Sequence, residues 1–183
     1  MQTSETIIGR YAPDFELPGI TGEVHHLRTY LERYSAIGVV FMANRCPKVR
    51  QYLDRLKQIQ SEFSHRNFTL VGINPNDGDG DPEESFEKMR EFKTEFDLNF
   101  PYVRDVTQDV AKGFNVEVTP QAFLIDKSGR VCYGGAIDDN ADDPNGVQQA
   151  YFKDAIVRLL DNGDVEPFGT DAIGCAVQWK DEK

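Results

Sequence analysis

The sequence predicts an α/β fold, a mixed central β-sheet flanked by helices, and three observations carry that prediction. Residues 36–42 (AIGVVFM) are apolar without alternation, as in a strand covered on both faces. A long amphipathic segment begins at Cys46-Pro47, so a strand feeds a helix and the next strand must return parallel. Residues 121–126 (QAFLID) and 131–134 (VCYG) are joined by Asp126-Lys127-Ser128-Gly129, which reads as an antiparallel hairpin.

The 183 residues are 39% hydrophobic and 28% charged, a balance that fits one domain over residues 1–183 with a single core. The formal net charge of -11 argues against nucleic acid or an anionic membrane as partner. No apolar run reaches membrane-spanning length, and the start MQTSETIIGRYAPDF lacks a basic region before an apolar stretch. The expectation is a cytoplasmic protein without an anchor. Cys46, Cys132 and Cys175 are an odd number at wide spacings, which suggests reduced thiols, one or two of them reactive, rather than a disulfide framework. No metal is expected, because His25 and His26 have no CxxC or HxxxH partner nearby, and no cofactor motif stands out.

Taken in order, Phe15 and Leu17 alternate with polar neighbours, Pro18-Gly19 and Thr21-Gly22 supply turns, and Val24 resumes the alternation, which predicts an N-terminal β-hairpin. A short helix over 27–33 precedes the buried strand. From Pro47, which suits a first helical position, Val49, Tyr52, Leu53, Leu56, Ile59 and Phe63 form one helix face. Residues 68–73 (FTLVGI) are the next strand. The loop NPNDGDGD is no calcium loop, since Pro82 replaces the turn glycine and Lys88 the bidentate Glu. It reads instead as a helix start, with Asp81 as N-cap, Pro82 first and Glu84 closing a capping-box-like arrangement. Phe86, Met89, Phe92 and Phe96 then line a core face. A strand over 100–103, a short helix over 107–114, the hairpin, an acidic loop over 138–146 and a helix over 147–160 follow. In the C-terminal tail, Ala172, Ile173, Val177 and Trp179 are candidates to pack.

Chemistry in such a fold gathers where strands end and helices begin. Cys46 stands at that point, beside unpaired amides and the positive end of a helix dipole, and both favour thiolate. Arg45 next to it is either a solvated turn residue or a cation for the thiolate or a bound oxyanion. Cys132 alternates with Val131 and Tyr133 and reads as structural. Cys175 is either packed between Ile173 and Val177 or, if the tail folds back, a resolving thiol for Cys46. Bridging would need Cα atoms within about 7 Å.

A helix-entry cysteine followed well downstream by Val118-Thr119-Pro120 resembles the thioredoxin fold. In that fold the proline usually follows a cis bond and lies against the reactive cysteine, which points to Thr119 and Pro120 as supporting residues. The opening APDFELPGITGE resembles the redoxins, the superfamily of alkyl hydroperoxide reductase and thiol-specific antioxidant proteins. Further stretches, NPND, DPEESFEKM, FPYVRDVTQDVAKGF, TPQAFLID, GAIDDN and a terminal Gly-Cys before Trp179, resemble a subgroup with a Cys-Asn-His-Cys-Pro turn. Here Ala43 replaces the first cysteine of that turn and Arg45 its histidine, so exchange through a local CxxC pair is impossible. The peroxiredoxin pattern P-x-x-x-[TS]-x-x-C is also incomplete, with Val39 and Ala43 at its proline and hydroxyl positions.

The resemblance implies a thiol oxidoreductase that reduces a small peroxide or a protein disulfide through Cys46, with Cys175 as the candidate resolving thiol. An external thiol reductant such as thioredoxin would return its electrons. A second reading, motivated by Ala43, is a degenerate thioredoxin-fold module that binds a partner or senses redox state. A third is that Ala43 was introduced to trap a mixed disulfide.

Overall fold

The computed structural model describes residues 6–181. In chain order the elements are β1 (Glu16–Pro18), β2 (Val24–His26), α1 (Leu27–Arg33), β3 (Ala36–Phe41), α2 (Pro47–Phe63), β4 (Phe68–Asn74), α3 (Phe86–Glu95), β5 (Tyr102–Arg104) and α4 (Asp109–Gly113). They continue with β6 (Val118–Thr119), β7 (Gln121–Asp126), β8 (Val131–Gly135), α5 (Tyr151–Asn162), β9 (Phe168–Gly169) and β10 (Cys175–Ala176). Six strands make the central sheet in the order β5-β4-β3-β7-β8-β9. The β5, β4 and β3 strands run parallel, β7 and β8 each reverse direction, and β9 lies parallel to β8. This is the mixed sheet expected, with the predicted hairpin formed by β1 and β2.

The absence of alternation in β3 has a direct cause. Ala36 and Val40 face one core with α2, α3 and α5, while Ile37, Val39 and Phe41 face another beneath α1 and α4. Every residue of β3 is buried. Gly38 lets α5 approach, because a Cβ there would press on Phe152 and Leu70. The six apolar positions expected for α2 are its buried residues. No helix among the described residues is long and apolar enough to cross a membrane.

Three details depart from the sequence reading. Asp81 caps only a 3-10 turn, and the N-cap of α3 is Ser85, whose hydroxyl accepts from Lys88 N–H at 3.3 Å. Glu84 closes no capping box; it is fully buried and reaches elsewhere. The last helix begins at Tyr151, not 147, because the preceding residues pair with the loop after β8: Gln148 N–H donates to Asp139 Oδ1, and Asp139 N–H to the Gln149 carbonyl. In the tail Val177 packs, but Ile173 is 77% and Trp179 40% exposed.

Leu56→Ala, at a fully buried position of α2, is expected to lower unfolding free energy by about 2–5 kcal/mol in urea titration, through lost transfer energy and a residual cavity.

Candidate functional site

The β3 strand ends at Phe41 and α2 starts at Pro47, so residues 42–46 form the turn at the carboxyl end of the sheet. Cys46 is the N-cap of α2, with Pro47 in the first turn and no side-chain cap or acidic residue there. No acidic side chain of the helix's own first turn competes with the sulfur for the positive potential there. Cys46 is 4% exposed, and its Sγ lies 3.2 Å from the Thr119 carbonyl oxygen. The Thr119-Pro120 bond is cis.

The tail folds back onto this turn. Strand β10 pairs antiparallel with β6, placing Cys175 opposite Thr119 and Ala176 opposite Val118. Cys46 and Cys175 form a disulfide with Cα atoms 6.0 Å apart and 129 residues between them in sequence. Gly174 makes the approach possible, since a Cβ there would collide with the Thr119 carbonyl. Cys175 is half-buried, the more exposed residue of the two. Cys132 lies buried and unbridged, its thiol pushed up to about 12 chiefly by burial.

Ala43 and Asn44 are buried, whereas the Arg45 side chain points to solvent and pairs with Asp81 at 3.0 Å. The turn is held by residues the sequence reading did not assign to it. Glu84 Oε1 accepts from the Asn44 amide at 2.8 Å and the Arg45 amide at 3.2 Å. Its Oε2 accepts from Asn76 Nδ2 at 2.6 Å. The Asn44 side chain donates to the Glu83 carbonyl and accepts from the Tyr102 hydroxyl. Arg50 donates through Nε and a terminal nitrogen to the Asn44 carbonyl at 3.1 and 3.0 Å. Arg104 donates to the carbonyls of Glu84 and Asn76. Burial pushes the Glu84 carboxyl above its ordinary value, with the three donated bonds pulling partly back.

Beside this turn lies a cavity of about 480 Å³ lined by Lys48, Tyr52, Pro120, Asp138, Tyr151 and Ile173, among others. Its acidic rim is fixed by Arg55, which bonds Asp138 Oδ2 at 2.8 Å and the carbonyls of Asn140 and Ala141. Among the described residues no cluster of three or more His, Cys, Asp or Glu is placed to hold a metal.

Residues 8–133, from before the hairpin into β8, match the AhpC/TSA family. The chain belongs to the AhpC/TSA family. It is 30% identical over 124 residues to the thiol-disulfide oxidoreductase ResA of Geobacillus kaustophilus, a match covering 68% of this chain. The chain spans 66% of the length of that relative. Two solved structures are similar over nearly the whole length. The hypothetical protein SMc02350 from Sinorhizobium meliloti has a TM-score of 0.85 and 31% identity, covering 97% of both chains. An uncharacterized conserved protein from Geobacillus kaustophilus has a TM-score of 0.83 and 30% identity, covering 96% of this chain and 94% of its own. Other structural neighbours are thioredoxin-fold proteins, so the fold implied by the sequence is the fold adopted.

Glu84 titrates above its ordinary 4.5 in the folded chain, so its contribution to stability is complete below that pH and declines as pH rises through the shifted value. The stability difference between the chain and Glu84→Gln is therefore expected to shrink as pH is raised from about 4.5 toward neutral, read by urea unfolding at each pH.

Proposed function

We propose that this AhpC/TSA-family protein is a two-cysteine thiol oxidoreductase in which Cys46 meets the oxidising substrate and Cys175 resolves the product. The observation that carries the reading is the disulfide between the cysteine at the mouth of α2 and a tail cysteine, in a chain whose turn has Ala43 where a local partner would stand. The Cys46 thiolate attacks a peroxide oxygen or a substrate disulfide, giving a sulfenic acid or a mixed disulfide. Cys175 attacks that sulfur, releasing water or the substrate thiol and closing the intramolecular disulfide. Two electrons and two protons from an external dithiol such as thioredoxin restore both thiols, a cycle suited to the cytoplasm.

Several features support these roles. The helix N-terminus favours an ionised sulfur at Cys46. The Thr119 carbonyl oxygen lies 3.2 Å from Sγ, so Thr119, with the cis-bonded Pro120 after it, stands against Cys46. Arg45 supplies positive charge at the rim, shared with Asp81. The thiol-disulfide oxidoreductase named among the relatives agrees in reaction class. A sensing module without turnover, the reading favoured by Ala43, predicts the same disulfide but no sustained consumption of reductant.

Peroxide-dependent dithiol consumption is expected to fall to background in Cys46→Ser. In Cys175→Ser, mass spectrometry with a sulfenic-acid trap should find the adduct on Cys46. Turnover in Cys46→Ser equal to that of the parent excludes the proposal, and disulfide formation without turnover in the parent selects the sensing module.

A further inference from the structure

We infer that the docked C-terminal tail makes Cys46 selective for small peroxides over protein disulfides, and that contacts at Val177 and Gln108 enforce this in the reduced chain. The inference rests on the oxidoreductase reading above and narrows its substrate class.

The geometry of Cys175 shows what a polypeptide must do to bring a sulfur to Cys46. It must run antiparallel to Val118–Thr119 with its cysteine opposite Thr119. It must also have no side chain on the preceding residue, because a Cβ at Gly174 would strike the Thr119 carbonyl. That lane is already filled by residues 174–177 of the chain itself. A protein disulfide can enter only if the tail leaves.

The contacts that hold the tail are independent of the disulfide. On the C-terminal side of Cys175, the Val177 side chain is buried and its amide donates to the Glu117 carbonyl at 3.1 Å. Gln178 N–H donates to Asn76 Oδ1 at 2.9 Å, and its carbonyl accepts from the Asp77 amide and Gln108 Nε2, each at 3.0 Å. Gln108 Oε1 in turn accepts from Lys180 N–H at 2.9 Å. On the N-terminal side, Thr170 N–H donates to the Gly134 carbonyl at 3.0 Å, and its hydroxyl meets Tyr133 and the Ala136 amide. The segment carrying Cys175 is thus pegged at both ends, and reducing the disulfide removes none of the pegs. Ile173, 77% exposed, adds no apolar burial of its own and leaves the intervening loop as a cover rather than a core.

A peroxide needs no strand. The Cys46 thiolate attacks the terminal oxygen of ROOH, the O–O bond breaks, and the alkoxide leaves and takes a proton from solvent. Cys46 is then a sulfenic acid, and the Cys175 thiol displaces its oxygen as water. Each step fits beneath a tail that stays in place, and the second requires it.

The test compares two oxidants on the fully reduced full-length chain, hydrogen peroxide and insulin, whose disulfides are borne on polypeptide. The rate of the first step, loss of the free Cys46 thiol whether to sulfenic acid, mixed disulfide or the bond to Cys175, is followed by thiol-trapping quench and mass spectrometry. The parent chain is expected to react with peroxide and far more slowly with insulin. In Val177→Asp, and in the milder Gln108→Ala, the insulin rate should rise about tenfold or more while the peroxide rate stays within about twofold. Insulin matching peroxide in the parent, or an insulin-to-peroxide ratio unchanged in both variants, overturns the tail's role and leaves the oxidoreductase reading standing. A parent chain in which neither oxidant touches Cys46 defeats that reading and this inference together.

Discussion

Two main-chain amides, those of Asn44 and Arg45, set the constraint on which the arrangement depends. They lie in a turn that must end a fully buried strand and begin a 17-residue helix. A buried donor without a partner costs about 1–3 kcal/mol. One oxygen of Glu84 satisfies both, and its other oxygen takes the side-chain amide of Asn76. The carbonyl of that same Asn76 side chain receives the tail at Gln178. Fixing the turn that presents Cys46 and docking the tail that presents Cys175 are therefore parts of one hydrogen-bonded unit. Neither sulfur is placed by its immediate neighbours alone.

Burying such a unit is costly unless every member is served. Arg104, whose own pKa is lowered chiefly by burial, serves carbonyls: it bonds those of Glu84 and Asn76 and lies 5.6 Å over the Phe86 ring. Tyr102 joins the edge of the sheet to the turn through Asn44, and Asn74 donates to Tyr102 in turn. The exposed Arg45–Asp81 pair is of another kind, screened by solvent and worth little to stability. Rigidity at the turn comes from the buried network, which leaves the Arg45 side chain exposed at the rim.

The sheet was legible because burial on two faces writes itself as unbroken apolar runs at 36–42 and 68–73, and α2 because its face repeats every three and four residues. The hairpin of β7 and β8 was announced by its turn. Glu84 was misread for a physical reason. Asp-Pro-Glu-Glu satisfies the local grammar of a helix start, and nothing local says that its last carboxylate turns inward to meet a chain segment 40 residues earlier. Gln178 meets Asn76 across 102 residues and Gln108 across 70, so no spacing rule reports them. Strand β10 is two residues long, too short for any periodicity. The family likeness pointed to Cys175, but its reach to Cys46 stayed conditional until the tail's path was known.

Ala43 changes the energetics of the chemistry as well as its cast. A cysteine at 43 would close a loop of four residues with Cys46, which in the chain-entropy account removes only about 2 kcal/mol of freedom from the unfolded chain. Cys175 closes one over a separation of 129 residues, for which the same account gives about 5 kcal/mol. A nearby cysteine is present whether or not the protein is folded well; a distant one is delivered by tertiary structure. The reduced chain must therefore hold Cys175 in place by the Asn76, Gln108 and Val177 contacts before any bond forms. Loosening them would leave the mouth of α2 intact and strip Cys46 of its partner. The hydrogen bonds of the tail thus bring to Cys46 by docking a second sulfur that a cysteine at position 43 would have offered by adjacency in sequence.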